Sequence, residues 1–283
     1  MRLDLGHWRD GSQPWNVKLA RASVLITELR TKFDAFMDRG AWSVIDIPIA
    51  EPDMYRVELQ RDQPIPLELG AIVGDIVHNL RSSLDTVAYA LARRDFEGEW
   101  TDRHEIAPQF PIVGTPEGYE KFFTDHKLRD QIYSQADRDA MRAAQSFYYW
   151  EQSGNQAETA ATMFETSQLY LLNELSNTDK HRRIPLTFWH LDLLYWENWE
   201  QEGSSRRFTG PRDGDSPDTI GYLYDPQSTR SRGAPTYQFV LAMEGRFRTD
   251  FIVTLEGWHR YISGWAVPRI FQTLSGDREP TQR

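Results

Sequence analysis

Apolar residues recur at three- and four-residue steps through much of the chain, and the best-formed stretch runs from Pro66 to Arg94. At 3.6 residues per turn, Ile72, Val73, Ile76, Leu80, Val87 and Leu91 fall on one arc of a helix, while His78, Arg81, Ser82, Asp85 and Tyr89 fall on the opposite one. A solvated face would carry Lys and Glu at its flanks. Here the flanks are Ala71, Gly74 and Ala92, small residues that let another helix come close. The pattern therefore predicts a polar seam buried between two helices, which is either a structural network or a site. The expected partner is a second long helix, from about Gln156 to Arg183. Leu169, Leu171, Leu172 and Leu175 cover more than half of its circumference, and Ser167, Tyr170, Glu174, Asn177, Thr178 and His181 stack as a polar stripe.

Other elements follow from the same periodicities. Ala22, Leu25, Ile26, Leu29, Phe33 and Phe36 predict an amphipathic N-terminal helix over Asn16 to Arg39, with Gly40 as its stop. The period then changes to two. Trp42 to Ile49 and Tyr55 to Leu59 predict a β-hairpin near 41–60, turning at Glu51-Pro52-Asp53. From 95 to 121 the chain is polar and turn-rich, so a surface excursion is expected there, with Phe110-Pro111-Ile112 as its apolar anchor. Ser134 and Asp137 form a capping-box pattern, with Ile132 placed to staple it and Ala136, Ala140, Met141 and Ala144 as an apolar stripe. After Pro185, Leu186 to Trp196 reads as strand-like. Residues 197–235, dense in Gly and Pro, read as a loop-rich insertion. Tyr237 to Met243 and Phe247 to Val253 predict a second hairpin near 237–253, and Thr254 to Leu274 a C-terminal helix kinked at Pro268. The tail, 275–283, is expected to be disordered. The fold class expected is mainly α (α+β): a helical bundle with two long core helices (66–94 and 156–183), an N-terminal helix, a C-terminal helix and two small β-hairpins. With no internal repeat and no Ser/Gly linker, a single domain over 1–283 is the simplest organisation.

Composition narrows the partners. A net charge of −10 works against a broad nucleic-acid surface, so any RNA contact has to be local. The absence of cysteine removes disulfides, thiolate metal sites and cysteine nucleophiles together. No apolar run approaches the length of a membrane span, and the N-terminus lacks the charged-then-apolar pattern of a signal peptide. The expectation is a soluble cytoplasmic protein with no membrane partner. The ten tryptophans tempt a carbohydrate-binding reading, but Trp189, Trp196 and Trp199 are spaced as core or interface residues are.

If the two long helices pack antiparallel, His78 meets the level of His181, Arg81 lies near Asn177 and Asp85 near Glu174. Three readings of that strip stay open. In the structural one, Arg81 joins Asp85 along its helix and Glu174 across it. In the catalytic one, a histidine is the general acid/base, Arg81 stabilises a developing phosphate charge, and Lys180 and Arg182 hold the substrate phosphate. In the third, His78, Asp85, Glu174 and His181 ligate a metal. A carboxylate-bridged di-iron centre needs paired Glu-x-x-His motifs, and only Glu256-Gly257-Trp258-His259 fits. No cofactor motif is present: the chain has no Gly-rich phosphate loop, no nucleophile elbow and no His-Glu-x-x-His.

His78-Asn79-Leu80-Arg81-Ser82-Ser83-Leu84-Asp85, together with Asn177-Thr178-Asp179-Lys180-His181-Arg182, resembles the pair of signatures found in a widespread group of uncharacterised bacterial helical proteins. More remotely, the layout is similar to HEPN domains, helical bundles that often act as metal-independent ribonucleases through an arginine and a histidine four to six residues apart, and that usually dimerise. The resemblance implies a stress or defence (toxin-like) role, binding or weakly cleaving RNA or a nucleotide through His78, Arg81, Asp85, Glu174, Asn177 and His181, with a homodimer as the expected assembly. The chain departs from the HEPN pattern at Thr86, where a histidine would complete the motif, and the alternative pair Arg183 and His190 encloses Pro185. The rival reading is a non-catalytic helical interaction module in which the same residues only fasten the helices.

Overall fold

The computed structural model describes residues 7–40, 42–61, 63–148, 167–181, 186–190, 207–209, 212, 214–215, 219–224, 239–243 and 251–276. The fold is mainly α. Helix α1 spans Pro14–Met37 and α2 Leu67–Asp95, with the hairpin β1 (Trp42–Pro48) and β2 (Met54–Arg61) between them. Short helices α3 (Asp102–Ile106), α4 (Pro116–Thr124), α5 (Lys127–Ile132) and α6 (Gln135–Ala143) follow. Then come α7 (Gln168–His181), the strands β3 (Leu186–His190), β4 (Arg207–Thr209), β5 (Thr219–Tyr224) and β6 (Phe239–Met243), and α8 (Phe251–Tyr261). A π-turn at Ile262–Ala266 joins α8 to α9 (Val267–Ser275). Among the described residues no helix is long and apolar enough to cross a membrane.

The periodicity that predicts α1 is the one that buries it: Ala22, Leu25, Ile26, Leu29, Phe33 and Phe36 are all buried, joined by Trp15 and Leu19. Gly40 adopts φ 67°, the left-handed conformation expected after a helix stop. In α2 the whole apolar arc is buried. The capping box forms as read, Ser134 Oγ accepting from the Asp137 N–H, and Ile132, Ala140, Met141 and Ala144 are buried. Ala136 is not part of that stripe, because it points to solvent. The beginning of the second long helix, before residue 167, lies outside the described residues, as does the tail from 277.

Contacts gather the chain into two compact units where the sequence pattern predicts one domain: residues 1–28, 71–184 and 253–283 in the first, 29–70 and 185–252 in the second. In the first, α6 packs on α9, and Phe271 of α9 stacks on Trp8 and Trp15 at ring-centroid distances of 5.4 and 5.3 Å. Tyr119, Phe123 and Phe147 form an edge-to-face cluster, all three buried.

The second unit holds a four-stranded antiparallel sheet in the order β1-β2-β5-β4 and a two-stranded ribbon, β3-β6. The β1-β2 turn is the predicted one: the Met54 N–H donates to the Glu51 carbonyl, and Asp53 takes φ 59°, a conformation that aspartate tolerates. Two expectations are corrected here. The stretch 197–235 contributes β4 and β5. Thr219–Tyr224 carries β-branched and aromatic residues that pair along β2, and the Gly and Pro residues around them obscure the strand. The second hairpin is also re-partnered. Phe239–Met243 pairs with Leu186–His190, and Phe251–Val253 begins α8 instead of a strand.

The expected kink near Pro268 takes a specific form. Proline has no N–H to return to the carbonyl four residues back, which is Gly264, and the preceding turn widens so that the Val267 N–H reaches Ile262 O.

Candidate functional site

Arg81 is the centre of the polar arc, and it is buried, with 6 % of its surface exposed. Its Nη1 donates to Asp85 Oδ1 at 2.7 Å, the predicted bridge along the helix. Across the seam the expectation fails. Nη2 donates to the Phe110 carbonyl at 2.9 Å, and Glu174 is not among its partners. Asp85 in turn accepts the Phe110 N–H on Oδ1 at 2.9 Å. One ion pair on α2 thus grips both backbone polar groups of a single residue in the excursion. Arg81 and Asp85 meet the 96–110 segment where the sequence reading placed Glu174 opposite Arg81, and that pairing is corrected. Further along the arc, Tyr89 Oη donates to Glu105 Oε2 at 2.9 Å and stands edge-on to Trp100.

The segment around Phe110 explains why such a clamp is needed. Residues 107–111 run between helices without a neighbouring strand, Ala107, Phe110 and Pro111 are buried, and buried backbone groups have to be paired. Pro108 and Pro111 have no N–H, so the donors left to satisfy between them are Gln109 and Phe110. The Gln109 N–H donates to Tyr133 Oη at 3.2 Å. Arg129 Nε donates to Ala107 O at 3.3 Å, and its Nη2 donates to Gln109 Oε1 at 2.9 Å. Gln145 Nε2 donates to Pro111 O at 3.0 Å. Side chains from α2, α5 and the stretches after α5 and α6 supply what a neighbouring strand would.

Electrostatics agrees with a fastened pair. Burial pushes the Arg81 guanidinium down from its ordinary value, and Asp85 opposes that shift by charge and by hydrogen bond. An arginine retains its proton even so. Burial likewise pushes the Tyr133 phenol up, with the bond from Gln109 pulling the other way.

The other residues of the predicted strip that the structure describes are more open than Arg81. His78 is exposed, Glu174 half-buried and Asn177 exposed. The side chains of Lys180 and His181, and Arg182 altogether, lie outside the described residues. Thr86, in the place of a HEPN histidine, donates its hydroxyl to the Ser82 carbonyl of its own helix at 2.7 Å. Among the described residues no group of three or more His, Asp or Glu side chains converges on a point that would hold a metal ion. The lone Glu-x-x-His motif also has another use, since His259 Nε2 lies 3.1 Å from the Leu19 carbonyl, to which it donates.

Two features escaped the sequence reading. His104, placed by that reading on the surface, is buried between Phe96 and Trp100, with ring centroids at 4.9 and 5.4 Å. Its Nδ1 accepts the Thr101 N–H at 3.0 Å, so that nitrogen is unprotonated and the Thr101 hydroxyl, at 2.8 Å, donates to it too. His104→Ala is expected to cost about 1–3 kcal/mol, because it removes a capping acceptor and leaves a gap beside two rings. A melting curve superimposable on wild type would show that the aromatic cluster does not need it. The second feature is Asp137, wholly buried, whose Oδ1 accepts from Arg94 Nη2 at 2.9 Å while Oδ2 accepts from the Ser134 N–H and hydroxyl at 3.0 and 2.7 Å. An Arg at the end of one predicted helix and an Asp in a capping box are the only signals, and neither marks the other as its partner. Comparison of the chain with protein families, with curated proteins and with solved structures returned no match.

Proposed function

We propose that this protein is a non-catalytic helical interaction module in which Arg81 and Asp85 are scaffold residues. The observation that carries this reading is the occupancy of Arg81: one guanidinium nitrogen holds Asp85 and another holds Phe110 O, in a buried position. A substrate phosphate would have to displace a charge-assisted bond and a backbone carbonyl to reach it. The exposure of His78 and the helix-bound hydroxyl of Thr86 also support this reading over RNA cleavage at the seam.

The test is incubation of the full chain with single-stranded and structured RNA, with and without EDTA, beside His78→Ala and His181→Ala. No cleavage above the buffer control is the expected result in every arm. Metal-independent cleavage that disappears in His181→Ala, at an unchanged melting temperature, would restore the ribonuclease reading and remove this one.

A further inference from the structure

The wall of α8 and the π-turn contains two glycines that the rest of the molecule leaves unexplained. Gly257 and Gly264 stand seven residues apart in helical backbone with ordinary negative φ, and a Cβ added at either would meet nothing within 4 Å. Neither strained backbone nor a close contact asks for glycine there, although glycine is a poorer helix former than alanine. Both border the same open cavity of about 650 Å³, within the ordinary range for small-ligand sites. Between and beside them on that wall are Arg260, Tyr261 and Trp265.

The chemistry of the lining is specific. The Tyr261 and Trp265 rings lie 5.0 Å apart, tilted by 30°, and provide aromatic faces. Tyr261 Oη makes no hydrogen bond to a described residue, and burial alone pushes its phenol up. Arg260 is exposed and forms no ion pair among the described residues. Gln145, only 1 % exposed, also lines the cavity. Its Nε2 is committed to Pro111 O and Met141 O, while its Oε1 accepts no bond from a described residue. Gln145 Oε1 is not one of the fully buried polar atoms, so it stands at the cavity edge as an acceptor open to a donor.

We propose that this cavity binds a planar heteroaromatic ring carrying an N–H donor and an anionic group, the chemistry of a nucleoside monophosphate. The ring lies against Tyr261 and Trp265 over the bare backbone of Gly257 and Gly264, as bases stack on aromatic platforms. Gln145 Oε1 accepts from a ring amino or imino group, and Arg260 takes the phosphate at the mouth. This site shares Gln145 with the clamp on residues 107–111, through its other amide atom, but uses neither Arg81 nor Asp85 and does not depend on the reading given to them.

The experiment is calorimetric titration of the full chain with AMP, GMP, CMP and UMP, with adenosine, guanosine and inorganic phosphate as separate arms. At least one monophosphate is expected to bind, tenfold or more tightly than its nucleoside or phosphate alone. Gly257→Leu and Gly264→Leu, which fill the cavity with a better helix former, are expected to weaken that binding at least tenfold without lowering the melting temperature. Arg260→Gln is expected to bring the nucleotide down to the level of the nucleoside. Absence of heat with all four nucleotides at millimolar concentration would overturn the proposal. So would binding that both leucine variants leave intact, or phosphate binding as tightly as the nucleotides.

Discussion

Arg81→Ala is expected to lower the melting temperature by on the order of 10 °C, since breaking one side of a buried pair costs about 3–5 kcal/mol and a chain of this size loses roughly 2–4 °C per kcal/mol. The loss has two parts. Asp85 keeps a half-buried charge without its counter-ion, and the Phe110 carbonyl loses the one donor it has among the described residues. This arrangement differs from an ordinary buried ion pair in a way that can be measured. Replacing such a pair with apolar residues of similar volume is often neutral. Here Arg81→Met with Asp85→Leu would strand both the N–H and the C=O of Phe110, so the double variant is expected to melt no higher than Arg81→Ala. Thermal denaturation of the three proteins decides the matter: recovery in the double variant would mean that the clamp on Phe110 is incidental.

Asp137→Ala is expected to cost a similar amount, about 3–5 kcal/mol. Its carboxylate is wholly buried and holds Arg94 with one oxygen and two Ser134 donors with the other. Removal breaks the tie between α2 and α6 and the capping box of α6 in one step. The informative control is Asp130, whose pair with Arg138 is of the same length but whose side chain is more than half exposed. Asp130→Ala is expected to change stability by less than about 1 kcal/mol. If both alanine variants unfold at the same temperature in a urea or thermal series, burial is not what sets the strength of the Asp137 pair.

The elements were legible in the sequence wherever a long period was present. The seams of α1 and α2, the turn at Glu51 to Met54 and the Ser134 box all rest on local spacing, and local spacing is what a sequence displays. On the polar arc of α2 the burial that was read holds at Arg81, while Ser82, Asp85 and Tyr89 are half-buried and His78 is exposed. What lies over Arg81 was not legible, because the partner is a segment that meets it through its backbone. The carbonyl and N–H of Phe110 are common to every residue type and leave no trace in the identity of position 110. A search for opposite charges therefore selects Glu174, a residue of the right chemistry in a place that does not meet Arg81. Strand β5 was lost for a different reason. Its period of two extends over only six residues and is enclosed by Gly and Pro, which by composition outweigh it. His104 was misplaced because the polar stretch around it hides an aromatic pocket made by Phe96 and Trp100.

The clamp on residues 107–111 has a consequence for how the molecule opens. An ordinary connection between helices detaches one contact at a time, so a protease can reach it while the rest of the fold stays intact. This one is held by Arg81 and Asp85 from upstream and by Arg129, Tyr133 and Gln145 from downstream, with hydrogen bonds that span 20 to 34 positions in the chain. No single release frees it. The segment therefore belongs to the same cooperative unit as the helix beneath it, and it becomes cleavable only when that helix comes apart.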